Sequence, residues 1–136
     1  MNEILKFLIE FCSFLYESDG FRFIDSAVSK SFGNAAIILG TSDLNIRFTR
    51  ERGQLFADFK SNHYGKINAY SWYSIDVVRQ LITGENQYYS IMNEDNAIFL
   101  KENINKIISI FSEPNVQETI MRLKKLERIR AKKIFS

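Results

Sequence analysis

From Phe21 to about Ser61 the apolar residues recur at every second position, and this period limits the fold more than any other feature of the chain. Successive side chains of a strand point to opposite faces, so strict alternation marks a strand with one dry and one wet side. Phe21, Phe23, Asp25 and Ala27 alternate with Arg22, Ile24, Ser26 and Val28. After Phe32-Gly33-Asn34, the run Ala35 to Leu39 is apolar throughout and suits a central strand. Gly40-Thr41-Ser42-Asp43 is turn chemistry. Leu44, Ile46 and Phe48 then alternate with Asn45, Arg47 and Thr49. Arg50-Glu51-Arg52-Gly53 reads as a hairpin turn whose outer residues can extend its strands, and Leu55, Ala57 and Phe59 alternate with Phe56 and Asp58 beyond it. The links are too short for crossovers, which predicts a four-stranded antiparallel meander. Its wet face carries Arg47, Thr49 and Asp58, with Phe56 beside them.

On either side of this stretch the period is helical. In residues 2–17 the polar positions Glu3, Lys6, Glu10, Ser13 and Glu17 form one narrow stripe, and nearly everything else is apolar. So thin a wet face predicts a helix covered on most sides, ending at Ser18-Asp19-Gly20. Asn62 to Tyr73 reads as an aromatic loop. A helix follows from Ser74, whose hydroxyl can cap it, to Thr83 before Gly84. Glu85 to Met92 fits a short strand or a loop. Asn93 can cap a helix to about Phe111 with Leu100, Ile104, Ile107 and Phe111 on one face. Ser112-Glu113-Pro114-Asn115 breaks it, and Asn115 with Glu118 starts the last helix, whose apolar positions are Val116, Ile120, Leu123, Leu126 and Ile129. The expected fold is α+β: an N-terminal helix, a four-stranded antiparallel meander, then three helices, the last two forming a helical hairpin. No linker or repeat divides residues 1–136, so a single domain is expected.

A chain of 136 residues with 46% apolar and 25% charged residues can close one core, and its 14% aromatics are high, rings that serve cores and interfaces alike. One cysteine excludes an internal disulfide. Charges at Glu3, Lys6, Glu10 and Glu17 break the apolar N-terminus, which fits neither a membrane span nor a secretory signal. A cytosolic location, without membrane attachment, is the expectation.

The reactive side chains are few. One His and one Cys, on a loop and on a mostly apolar helix, give no start for a zinc site. Cys12 has no cation near it in sequence to favour a thiolate and reads as a small core hydrophobe. His63 has no Ser, Cys or carboxylate at a recognised spacing and reads as a loop histidine. Glycine-rich phosphate loops of either familiar type are missing from the sequence. The carboxylate pairs Glu94-Asp95 and Glu51/Asp58 stand where helix starts and turns favour acids. Neither a catalytic set nor a cofactor is expected.

Two features point to recognition. Residues 118–136 carry seven basic side chains (Arg122, Lys124, Lys125, Arg128, Arg130, Lys132 and Lys133) against Glu118 and Glu127, while the whole chain is only +2. Cations at a helix C-terminus are commonly a solvated face, and the alternative is contact with nucleic acid or an acidic protein. Trp72, just before a helix, reads as an anchor that docks that helix on the sheet. Tyr64, Tyr70, Tyr88 and Tyr89 are the better candidates for exposure, and Tyr is favoured at interfaces. With Arg47, Phe56 and Asp58 from the wet face they form the candidate partner-binding set.

Several stretches resemble a group of small bacterial immunity proteins of toxin–immunity systems, including contact-dependent growth inhibition. They are Phe32-Gly33-Asn34 leading into an apolar strand, Ser42 to Gln54 (SDLNIRFTRERGQ), Trp72-Tyr73-Ser74-Ile75-Asp76, Phe99 to Asn103 (FLKEN) and Leu123 to Ala131 (LKKLERIRA). The resemblance implies a protein that binds a cognate toxin domain in the cytosol and blocks its active site or substrate path, nucleases being one class of such toxins. The competing expectations are a nucleic-acid-associated accessory protein that uses the basic last helix, and an enzyme whose site is assembled from separate segments.

Overall fold

The computed structural model describes residues 1–28, 34–63, 72–86 and 89–135. Two helices open the chain, α1 (Asn2–Phe11) and α2 (Phe14–Glu17). Five strands follow: β1 (Arg22–Val28), β2 (Ala35–Gly40), β3 (Leu44–Glu51), β4 (Gln54–Ser61) and β5 (Tyr73–Ser74). Three helices complete it: α3 (Ile75–Thr83), α4 (Glu94–Ile110) and α5 (Val116–Phe135). The α+β class and the element order agree with the sequence reading, with one short strand added and the first helix broken at Cys12-Ser13.

The sheet is antiparallel in the order β1-β2-β3-β4-β5. Its register places Ile37 opposite Phe48, Leu39 opposite Ile46, Phe48 opposite Ala57 and Ile46 opposite Phe59. All of these are buried, and the helices cover them with Ile4, Leu8, Leu100, Ile104, Ile107, Phe111, Ile120 and Leu123. Burying a side chain of this size contributes roughly 1.5–3 kcal/mol, so this one dry face supplies most of the driving force. The alternate residues Ala36, Ile38, Asn45, Arg47, Thr49, Phe56 and Asp58 are only half-buried and form the second, open face.

The β3–β4 hairpin is tighter than the sequence suggests. Glu51 pairs with Gln54, so only Arg52 and Gly53 turn, both with positive φ (52° and 79°). A two-residue turn of this hand matches the twist of the strands, and Gly53 meets its steric demand.

β1 departs from the expected alternation. The register slips between Phe23 and Asp25, leaving Ile24 as a bulge. Phe23, Ser26 and Val28 therefore lie on the helix side with Leu39, Ile37 and Ala35, while Asp25 and Ala27 lie on the open side. The Ile24 side chain reaches over Gly40, where a Cβ would collide with it. All seven β1 residues are exposed, and so are Leu5 and Ile9 of α1. The expectation that the first helix is covered on most sides is thus corrected: α1 packs mainly on β2, β3 and α4 and leaves its Leu5–Ile9 side exposed.

Helix caps follow local chemistry. Asn93 Oδ1 accepts the Asn96 amide N–H at 2.9 Å, as expected, and Gly84 ends α3 at φ 77°. Ser74 stands at the start of α3, but its hydroxyl donates to the Asp76 carboxylate instead of capping the backbone. Arg79 joins α3 to α4 through Asp95 (2.8 Å) and the Asn96 side-chain oxygen (3.1 Å).

Asp76 is fully buried, and the guanidinium of Arg130 on α5 neutralises it. One of the seven basic residues of the last segment is therefore a structural counter-ion that ties α5 to the start of α3. Removing one partner of such a pair strands a buried charge. We expect Arg130→Ala to lower unfolding free energy by about 3 kcal/mol, measured by urea denaturation. Arg128→Ala, an exposed neighbour, should change it by less than about 0.5 kcal/mol.

Candidate functional site on the open sheet face

The open face is built from short-range rules. Strand alternation sends Arg47, Thr49, Phe56 and Asp58 away from the core, and register sets Arg47 opposite Asp58 and Thr49 opposite Phe56. Arg47 Nη2 donates to Asp58 Oδ2 at 3.3 Å. Asp58 in turn faces Ser74 of β5. These residues line a depression of about 340 Å³ together with Ala36, Glu51 and Ser90. Main-chain pairing of Phe56 with Ile91, and the Met92 N–H to Leu55 carbonyl bond (2.7 Å), bring the 89–92 segment to its rim.

Trp72, read from the sequence as an anchor that docks α3 on the sheet, lies on this face. The Arg47 guanidinium lies over its ring at 4.4 Å and the Lys60 ammonium at 5.7 Å. Such cation–π contacts hold both cations and ring in place on a rigid strand surface. The buried neighbour is Tyr73, which the sequence reading did not single out. Alternation within Trp72-Tyr73-Ser74 could have indicated it, since only one of two adjacent strand residues can face inward.

Burial raises the Asp58 carboxyl above its ordinary value of 3.8; the attraction and hydrogen bond of Arg47 oppose this, and the Asp76 charge adds to it. Burial raises Glu127 of α5 in the same way, against Arg130, with Asp76 again raising it. The two carboxyls thus share one polar region centred on the Asp76–Arg130 pair. Chemically it is a patterned charge surface on which a partner's polar groups can be matched.

Of the candidate binding residues, the structure brings Arg47, Phe56 and Asp58 together in one depression. Tyr89 is exposed, next in sequence to Ser90, which lines the depression. Tyr64, Tyr70 and Tyr88 lie outside the described residues.

The other sequence candidates resolve differently. Cys12 is buried at the α1–α2 break, and burial pushes its thiol up to about 12, far from a nucleophilic thiolate. His63 is half-buried and not simply solvated: its Nε2 lies 2.6 Å from Asp43 Oδ1. That contact belongs to a turn network in which Thr41 Oγ1 accepts the Asp43 and Leu44 N–H groups, and Asn62 donates to the Thr41 carbonyl and to Asn45. Ser61 Oγ accepts the His63 backbone N–H and donates to the Phe111 carbonyl, so it is not poised against the imidazole ring. Along α5, Arg122, Lys124, Lys125 and Arg128 line a shallow groove with Met121. Among the described residues no group of three His, Cys, Asp or Glu side chains could hold a metal ion, and no helix is long and apolar enough to cross a membrane.

Comparison of the chain with family models, curated proteins and solved structures finds no match.

The Asp58 shift carries a sign. A carboxyl whose folded value lies above its unfolded value binds protons more readily when folded, so its contribution favours the fold at low pH and is lost as pH rises. Stability measured by urea titration should show this for the native protein relative to Asp58→Asn: the difference falls as pH climbs from 3.8 through the raised value. A flat difference would mean that Arg47 fully offsets the burial.

Proposed function

We propose that the chain is a non-catalytic binding protein of the immunity type, which neutralises a cognate toxin domain by seating it on the open face of the sheet. The observation that carries this reading is the convergence of Arg47, Phe56 and Asp58 in one depression, with Trp72 stacked under Arg47 and Tyr89 exposed next in sequence to the lining residue Ser90. Arg, Trp and Tyr are the residues that dominate binding energy at protein interfaces, and strands hold them more rigidly than loops. The mixed charges of Arg47, Lys60, Asp58 and Glu51 suit a partner whose polar groups are matched in register, which favours selectivity for one partner over many.

Inhibition then needs no chemistry from this chain. A surface of this kind excludes the toxin's substrate by covering its site, and affinity rests on a few aromatic and Arg contacts with polar residues around them. Tight complexes of this sort bury about 800 Å² on each side. The depression itself is smaller, so it is the centre of the contact and not its full extent.

The test is growth rescue. The chain is co-expressed with the product of the reading frame immediately upstream, and the two are co-purified. Native protein should restore growth and copurify in a stable complex. Phe56→Ala and Tyr89→Ala together should weaken binding by roughly 2–4 kcal/mol without unfolding the protein. A toxic neighbour that is neither bound nor neutralised sinks the reading, and so does rescue unaffected by the double variant.

A further inference from the structure

The outer side of α5 carries a groove of about 680 Å³, lined by Pro114 just before the helix and by Met121, Arg122, Lys124, Lys125 and Arg128 along it. Helical spacing explains the grouping. Met121, Lys125 and Arg128 follow one another a turn apart on the solvent side, while Val116, Ile120 and Leu123 are buried in the core. The usual reasons for cations on a last helix do not account for these four. The helix macrodipole acts within the final turn, where the basic residues are Lys132 and Lys133. Arg130 answers the buried Asp76, whereas none of the four groove cations forms an ion pair among the described residues. Glu118, one turn before Arg122, is the single acid in the lining. Arg122 with Lys125, and Lys124 with Arg128, set like charges one turn apart, which disfavours a helix until an anion answers them.

The rest of the lining indicates which anion fits. Met121 is 60% exposed, and with Pro114 and the aliphatic stems of the Arg and Lys side chains it gives the groove an apolar floor. Methionine is an adaptable apolar surface that accepts side chains of varied shape. A phosphate backbone has no apolar group to cover this floor, and the lining holds no aromatic ring on which a base could stack. An acidic polypeptide segment matches both parts. Its carboxylates meet the cations, and a bulky apolar side chain beside them covers Met121.

We propose that the α5 groove is a second docking site, which takes an acidic polypeptide segment with an apolar side chain seated on Met121 and carboxylates on Arg122, Lys124, Lys125 and Arg128. It shares no lining residue with the depression on the open face. The site therefore stands whether or not a toxin docks on the sheet.

Fluorescence anisotropy tests it with the full chain and a fluorescein-labelled helical peptide whose Leu stripe is flanked by Glu. The native chain should bind this peptide, with an affinity that falls as salt rises. Lys125→Glu with Arg128→Glu, both on the surface, should keep the native circular dichroism spectrum and weaken binding about tenfold or more. Met121→Ser, or Ser in place of Leu in the peptide, should weaken it about fivefold. The Phe56→Ala and Tyr89→Ala double variant should bind the peptide as the native chain does, which separates this site from the open face. A peptide that does not bind, or that binds the charge-reversed variant equally well, overturns the proposal. Loss of binding in the open-face variant, or equal binding of the peptide without Leu, overturns it too. Tighter binding of a labelled oligothymidylate would assign the groove to nucleic acid instead.

Discussion

A sheet that buries only one of its faces governs the rest of this structure. The alternation in β2, β3 and β4 sends Ile37, Leu39, Leu44, Ile46, Phe48, Ala57 and Phe59 to one side, and the helices gather there to cover them. The opposite side then has to be satisfied by its own residues. It does so with a cross-strand ion pair and a cation stacked on an indole ring. A surface already organised by strands and fixed side chains would lose little freedom on docking a partner, which favours the open face in the binding role proposed above.

The Asp76–Arg130 pair connects that surface to the helices. Asp76 sits at the junction of β5 and α3, completely buried, and its charge reaches both Asp58 on the sheet and Glu127 on α5. One buried carboxylate thereby holds the last helix in place and sets the electrostatics next to the depression. Replacing such a pair with apolar residues is often neutral or stabilising, so the role that the geometry supports for it is positioning α5 against α3.

Much of this was legible in the sequence. Periods of two and of three to four gave the meander, the helices and their order. Asn93 and Gly84 marked helix ends by chemistry that depends only on neighbours. Arg47, Phe56 and Asp58 could be placed on one face because alternation within β3 and β4 is strict. The failures have a common cause, which is that coverage is tertiary. Nothing in residues 2–17 says which side of an apolar helix the sheet will reach, so Leu5 and Ile9 read as core. A single bulge at Ile24 reverses the alternation of everything after it in β1. Arg130 read as one more solvated cation because its partner lies 54 positions away. Tyr73 was passed over beside Trp72 because a strand of two residues, Tyr73–Ser74, gives only a faint alternation.

The claim on which the account turns is that a partner docks on the open face. Trp72 is the single tryptophan of the chain and lies on that face, stacked by Arg47 and Lys60. Fluorotryptophan incorporated into this chain alone, read by fluorine NMR, gives one resonance that reports the surface and is silent about the partner. Titration with the proposed partner, the product of the reading frame immediately upstream, should move that resonance and reduce its sensitivity to solvent isotope exchange, saturating at the stoichiometry of the complex. A complex that forms while the Trp72 resonance stays unchanged would contradict the account and place the binding surface elsewhere on the molecule.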